Sequence, residues 1–174
     1  GTLPSRVADN FYWLGRYLER GEALLAIVRA MLGNSIDADA GAALDHDTVG
    51  RMAGLVVAAG AAAHPAHLKR PDLVQLARTA LDAPDGWNNI PAINRMARTI
   101  AQVSRDRLSA DVVRLLDAPH PTKGSMLDRC GSLQRRYAAL SGLSAEHMGR
   151  TAAWRFHDLG RRVVLALHGA PDQA

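Results

Sequence analysis

The chain has 174 residues and a net charge of +4, and 48% of its residues are hydrophobic while only 5% are aromatic. This composition favours closely packed helices over sheets. No apolar run approaches the ~18 residues of a membrane-spanning helix, and the single cysteine, Cys130, leaves no partner for an internal disulfide. We therefore expect one cytoplasmic domain over residues 1–174, with no membrane association.

The positive charge does not favour a nucleic-acid-binding protein. Arginine supplies nearly all of it, and the arginines are spread through every predicted helix instead of forming one basic patch. We therefore do not expect nucleic acid as a partner.

A long amphipathic helix is predicted at the start of the chain, ending at Gly33–Asn34. Its apolar side chains recur at intervals of three, four and seven residues, which places them on one helical face. Gly21 falls on the same face, where a neighbouring backbone could approach closely. The apolar residues of this face are Val7, Phe11, Leu14, Leu18, Leu25, Val28 and Leu32.

Two shorter helices are predicted next. The second helix begins at Asp45 or Asp47, and Pro65 forbids its regular continuation. Pro71 suits the first turn of a third helix, which is followed by a turn-rich loop over residues 82–91. The residues expected to face inward are Met52, Leu55, Val56 and Ala59 in the second helix and Leu73, Leu76, Ala77 and Leu81 in the third.

Three more helices complete the predicted order. One opens at Pro91 and bends near Ser109, the next runs from a Ser125 cap to Gly142, and the last starts at Ser144. No stretch alternates with the period of a β-strand, so the sequence predicts an all-α bundle of about six or seven helices. The residues expected to face inward are Ile93, Met96, Ala97, Ile100 and Val103, and then Leu127, Cys130, Leu133, Tyr137 and Leu140.

A short motif, Phe-x-x-Leu-Gly-Arg, occurs at both ends of the chain. It spans Phe11 to Arg16 and returns from Phe156 to Arg161. Both copies lie in helical periodicity, so we expect the first and last helices to be quasi-equivalent packing partners.

Three stretches of the sequence carry a family resemblance: SRVADNFYWLGRYLERGEALL, ARTIAQVSRDRLSAD and RTAAWRFHDLGRR. They are similar to the Alpha-E family, an all-helical domain named for its Glu-Arg pairs. The resemblance implies a domain encoded beside, or fused to, circularly permuted ATP-grasp proteins, often with transglutaminase-like peptidases nearby, and a role in making or modifying peptides. The family domain is longer, so the chain resembles its N-terminal half. The chain departs from the pattern at Thr99, Ile100 and Gln102, and at Val164 and Leu165, which replace a second Glu-Arg pair.

Motifs for phosphate binding and nucleophilic catalysis are missing from the sequence. It contains no GxxxxGK[ST] loop, no GxGxxG after a strand and no GxSxG elbow. A di-iron site needs several glutamates in Glu-x-x-His pairs, but Glu19, Glu22 and Glu146 are the only glutamates, and none precedes a histidine at that spacing. We therefore predict no catalytic residues, no metal site and no cofactor.

The strongest candidate site is a polar cluster of Arg16, Glu19 and Arg20. Tyr17 lies beside it in the sequence, and Arg161 belongs to the second copy of the Phe-x-x-Leu-Gly-Arg motif. In one interpretation it is a structural ion-pair network that ties the first helix to the last, and we favour this because one glutamate shared by several arginines is a common satisfied arrangement. In the other it binds an anionic ligand or a partner, since guanidinium groups match carboxylate and phosphate in two-point contacts.

The aromatic residues divide into two groups. Trp13, Tyr17, Trp154 and Phe156 could form a ligand-stacking box, but their helical spacing favours packing in the core, which we expect. Trp87 lies in a Gly-, Asn- and Pro-containing loop, where an aromatic side chain more readily marks a contact surface. Asn88 and Asn89 beside it are expected to form the turn.

Three functions remain open. The one we favour is an accessory domain without catalytic activity, which docks an ATP-grasp-type ligase or presents an acidic, amino-acid or peptide substrate to it. The second is an enzyme in which Glu19 is the acid or base and arginines hold a carboxylate. The third is a plain protein–protein interaction module.

Overall fold

The computed structural model describes residues 5–37, 46–62, 72–148 and 161, and all regular structure in these ranges is helical. No strand occurs in them, which confirms the predicted all-α fold. The predicted equivalence of the first and last helices falls on residues outside these ranges, apart from Arg161. The described helices are α1 (Ser5–Asp37), α2 (His46–Ala58), α3 (Leu73–Asp82), α4 (Ile90–Val103), α5 (Ala110–Asp117) and α6 (Met126–Met148), with a 3₁₀ turn at Arg105–Arg107.

Two glycines that were predicted to end helices lie inside them. α1 continues through Gly33 and α6 continues through Gly142, and neither glycine has the positive φ of a helix-ending residue. A glycine inside a helix costs only about 1 kcal/mol, which the burial of Leu140 beside Gly142 offsets. Ser144 is therefore a buried residue of α6 and does not begin a new helix.

Residues 90–117 form two α-helices, α4 and α5, whereas the sequence predicted one helix with a bend. α4 ends at Val103, and Ser109 has extended backbone angles at the start of α5. The Ser109 side chain accepts a hydrogen bond from the Val112 N–H at 3.2 Å. Serine is more stable as an N-cap than inside a helix, so it begins α5 at the predicted bend.

Two other helices begin at side-chain caps. Asp72 accepts a hydrogen bond from the Gln75 N–H at 3.1 Å and so begins α3; Pro71 lies outside the described residues. Ser125 caps α6 as predicted, because its Oγ accepts from the Asp128 N–H at 3.0 Å. Asp128 Oδ2 accepts from the Ser125 N–H at 3.4 Å, which completes a reciprocal capping box.

Asn89 organises the predicted loop between α3 and α4. Its side chain is fully buried, accepts from the Ala92 N–H at 3.1 Å and donates to the carbonyl oxygens of Ala83 at 2.7 Å and Thr79 at 3.2 Å. It therefore satisfies backbone groups at the end of α3 and at the start of α4. The expected turn role of Asn89 is confirmed.

The described residues belong to two compact units. The first unit is drawn from Gly1–Glu22, Ile93–Pro119 and Arg136–Ala174, and the second from Ala23–Ala92 and His120–Arg135. The expectation of one domain over the whole chain stays a prediction. The largest buried side chains are Phe11, Leu14, Leu18, Ile93, Tyr137 and Leu140 in the first unit, and Leu25, Met31, Leu81, Ile90 and Leu133 in the second.

The predicted inward faces of α1, α3 and α6 are largely confirmed, but those of α2 and α4 are partly wrong. In α2, Val56 is buried while Leu55 is 55% exposed, and in α4, Met96 and Val103 are 45% and 64% exposed. Each of these two helices has apolar residues on more than one face, but only one face of each helix is buried in the protein. The buried apolar residues of α4 are Ile90, Ile93, Ala97 and Ala101, which repeat every three or four residues.

Cys130 is part of the core of the second unit, as predicted. The thiol is buried and donates a weak hydrogen bond to the Leu25 carbonyl oxygen at 3.5 Å. Burial raises the pKa of Cys130, and the nearby charge of Arg29 only partly opposes this. The thiol is therefore held in its unreactive, protonated form.

In the first unit, Gly21 of α1 faces the ring of Tyr137 of α6. A Cβ at Gly21 would lie 2.7 Å from Cζ and 3.0 Å from Cδ1 of that ring. Tyr137 is fully buried, and its hydroxyl donates a hydrogen bond to Asn94 Oδ1. Burial raises the pKa of Tyr137 far above its ordinary value, so the phenol stays protonated and keeps donating.

Gly21→Ala is expected to destabilise the protein by about 1–2 kcal/mol, because the cost of overpacking a fixed ring exceeds the gain in helix propensity. Gly142→Ala is the matched control, since nothing lies within 4 Å of a Cβ at that helical position. It is expected to stabilise by about 0.5–1 kcal/mol. Urea denaturation of both variants gives the two values, and a Gly21→Ala protein as stable as the control would contradict the close packing.

In the second unit, Asp82 at the end of α3 holds two cationic or ionisable side chains. Arg129 Nη1 donates to Asp82 Oδ1, and His120 Nε2 lies 2.9 Å from the same oxygen. Burial alone would raise the pKa of Asp82, but the hydrogen bonds from Arg129 and His120 outweigh it and hold the pKa below its usual range. The carboxylate thus fixes the segment before α6 to the end of α3.

The pKa of Asp82 is lower in the folded than in the unfolded protein. The contribution of Asp82 to the free energy of unfolding is therefore complete above the unfolded pKa of about 3.9, and it is lost as the pH falls through the folded pKa. Asp82→Asn should therefore be less stable than the unaltered protein near neutral pH, and this difference should shrink below about pH 4. Urea unfolding across this range measures it. Asp111→Asn, which removes an exposed pair with Arg114, is the control and should change little at any pH.

Candidate functional site

In the first unit, α1 presents two glutamates to one arginine. Arg161 Nη2 lies 2.9 Å from Glu19 Oε2, and Arg161 Nη1 lies 3.3 Å from Glu22 Oε1. Glu19 is only 6% exposed. Ser141 of α6 joins the group, since its Oγ donates to Glu22 and accepts from Arg161 at 2.7 Å. Four polar side chains therefore form one network, here called the Glu19 network.

Within the predicted cluster of five residues, the structure pairs Glu19 with Arg161 and places Arg20 over the ring of Tyr17. The first of these contacts is the one that the structural interpretation expected. Glu22 and Ser141 were not predicted as partners. Glu22 lies three residues after Glu19, and this spacing places both carboxylates on one side of α1. Ser141 comes from distant sequence, and no local pattern could have indicated it.

The other residues of the predicted cluster contact aromatic rings. The Arg16 guanidinium lies 5.4 Å from the centre of the Trp13 ring, and the Arg20 guanidinium lies 5.3 Å from that of Tyr17. Both distances are within the range of cation–π attraction. Partial burial and the positive charge of Arg16 lower the pKa of Arg20. Arginine stays charged under such shifts, so this surface carries positive charge.

A groove of about 280 Å³ lies beside these arginines in the first unit. Trp13 was expected to be buried, but it is 42% exposed and lines this groove. It occupies a face of α1 next to the buried stripe, so helical spacing alone did not distinguish the two. The groove, called the Trp13 groove from here on, is lined by Asn10, Trp13 and Tyr17 from α1 and by Met96 and Ile100 from α4.

Trp87 is the most exposed large apolar side chain among the described residues, at 77%. It lies in the loop before α4, and a Cβ at Gly60 would lie 3.2 Å from its Cδ1 atom. The position suits the predicted surface contact. The contact itself stays a prediction.

A second cavity, of about 340 Å³, lies around α5 and was not predicted. Two arginines and one aspartate line it, Arg105, Arg114 and Asp117. Arg114 already pairs with Asp111 at 2.8 Å, and Asp117 lies 3.8 Å from Arg98. These charges are largely paired within the protein, so the cavity is a weaker candidate than the Trp13 groove.

Among residues 5–37, 46–62, 72–148 and 161, no group of three or more histidines, cysteines, aspartates or glutamates could hold a metal ion. Within the same ranges, every helix is too short or too polar to cross a membrane.

The fold and the site define an all-helical domain in which the glutamate of a Glu-Arg pair on α1 is held by an arginine from far along the chain. The chain belongs to the Alpha-E family. The model of this family, described as a predicted alpha-helical domain with a conserved ER motif, matches residues 3–166, nearly the whole chain rather than its N-terminal half alone. Glu19–Arg20 is the only Glu-Arg dipeptide in the sequence. No curated protein and no solved structure matches the chain.

Glu19→Ala is expected to destabilise the protein by about 2–3 kcal/mol, because it leaves the partly buried Arg161 without its closest carboxylate. Glu22→Ala is the matched control. Its carboxylate contacts the same arginine but is 30% exposed, so a loss of about 1 kcal/mol is expected. Chemical denaturation of both variants measures the two losses of stability. Equal losses would show that Glu19 contributes no more to stability than Glu22 does.

Proposed function

We propose that the chain is an accessory helical domain of a cytoplasmic ATP-grasp-linked system that makes or modifies peptides, and that it docks the ligase without catalysing a reaction itself. The resemblance to the Alpha-E family supports the link to the ligase. The observation that carries the docking role is the exposed groove at Trp13, since exposed apolar surface flanked by arginine is typical of interaction sites.

The burial of Glu19 supports a binding role over an enzymatic one. A general acid or base must lie within hydrogen-bond reach of its substrate. Glu19 is 6% exposed and is 2.9 Å from Arg161, so its carboxylate is occupied by the protein's own cation. An enzyme that uses Glu19 would need the Glu19 network to open. The groove, in contrast, is accessible as it stands.

A plain interaction module, unrelated to peptide chemistry, would present the same groove. The difference lies in the partner. We expect the unaltered chain to bind the ATP-grasp protein encoded beside it and to increase its rate of product formation. Titration calorimetry measures the binding, and a coupled assay for ADP or phosphate release measures the rate.

The matching control is a titration of the chain alone with ATP and magnesium, which should show no binding. Micromolar affinity for ATP in that control would argue for a catalytic chain. A ligase that neither binds the chain nor responds to it would favour the plain interaction module.

A further inference from the structure

The surface of α4 has two apolar faces, and only one of them is covered. Ile93, Ala97 and Ala101 repeat every four residues and are buried. Met96 and Val103 lie on another face and are 45% and 64% exposed. Apolar side chains left in water on a helix that already has a buried face indicate a surface for a partner.

The Trp13 groove combines this second face of α4 with an aromatic stripe on α1. Trp13 and Tyr17 are one helical turn apart, with ring centres separated by 6.2 Å. Trp13 and Met96 are both more than 40% exposed, and both line the groove. Its volume of about 280 Å³ is at the lower limit for small-molecule sites. It has room for one large side chain and suits a linear segment better than a folded surface.

The charge around the groove indicates which charged side chains such a segment has. Neither an acidic nor a basic residue lines the groove itself, but Arg16 and Arg20 lie over the rings of Trp13 and Tyr17, which do line it. Arg16 is half-buried. Its Nε is buried and has no hydrogen-bond partner among the described residues, and its Nη1 donates to the Tyr12 hydroxyl at a long 3.4 Å, so any capacity for a partner's carboxylate lies at its Nη atoms. Asp9 is the one carboxylate on this exposed side of α1, and it forms no described ion pair with Arg16.

We infer that the Trp13 groove binds an acidic linear segment of the partner ligase. One large apolar side chain of the segment enters between Trp13 and Met96, and a neighbouring carboxylate pairs with Arg16. This inference rests on the proposed docking function and names the part of the partner that is recognised. Carboxylates match guanidinium in two-point contacts, and aromatic and arginine residues dominate the binding energy of interfaces.

A displayed library of random peptides, selected on the full chain, tests the groove without knowledge of the ligase sequence. We expect enrichment of peptides that combine aspartate or glutamate with one leucine, phenylalanine or tryptophan. The enriched peptides should bind in solution, measured by fluorescence anisotropy, and more weakly at high salt. Enrichment of basic peptides, or no enrichment, would overturn the inference. Binding of single-stranded RNA in place of acidic peptides would do the same.

Met96→Glu is the diagnostic variant, because it places a carboxylate in the groove at an exposed position. It should weaken the selected peptides at least about tenfold, which corresponds to about 1.4 kcal/mol. Leu55→Glu is the matched control, since Leu55 is an exposed apolar helical residue outside the groove. It should leave binding unchanged, and circular dichroism shows that both variants remain folded. Equal effects of the two substitutions would place the peptide elsewhere.

The ligase separates this inference from the proposed function. If the ligase binds the unaltered chain but also binds the Met96→Glu protein equally well, docking occurs and the groove is the wrong surface. If the selected peptides bind the groove but the ligase does not bind the chain, the proposed function fails. The inferred source of the segment then fails with it, while peptide recognition by the groove stands. Trp87→Ala in the same assay tests the other tryptophan that is exposed in the described part of the chain.

Discussion

The close approach of α1 to α6 at Gly21 is the constraint on which the candidate site depends. The absence of a side chain there lets the Tyr137 ring lie against the α1 backbone. One residue further along α1, Glu22 contacts Ser141, which is one turn after Tyr137 in α6. A larger residue at Gly21 would separate the two helices at the level of this hydrogen bond. The packing of an apolar ring and the geometry of the Glu19 network are therefore set by the same contact.

The two residues of the Glu-Arg motif have different surroundings although they are adjacent. Successive residues of a helix point about 100° apart, so Glu19 is directed to Arg161 while Arg20 lies over Tyr17. Glutamate is thereby buried with a cation, and arginine is partly exposed beside the groove. The two charged residues of the motif therefore contribute to two neighbouring features, the Glu19 network and the aromatic stripe that lines the groove.

Sequence patterns predicted the positions of the helices better than the burial of their side chains. The 3.6-residue period indicated the helices, and the capping residue Ser125 marked the start of α6, because both signals are local. The period did not tell which apolar residues are covered, so Met96 and Trp13 were expected in the core and are exposed. The repeated Phe-x-x-Leu-Gly-Arg motif did indicate that Arg161 belongs with the first helix. Ser141 had no such signal, because its contact depends only on how α6 packs against α1.

The exposed face at Trp13 also raises the question of how an apolar surface persists in water without its partner. The arginines provide a physical answer. Each guanidinium lies over an aromatic ring, and the aliphatic stem of an arginine can cover apolar surface. This arrangement lowers the free-energy cost of leaving the groove exposed to water. It also keeps the charges where an incoming carboxylate would reach them. An acidic segment can pair with a guanidinium while the ring below remains in place, so binding adds contacts without first breaking those that protect the surface.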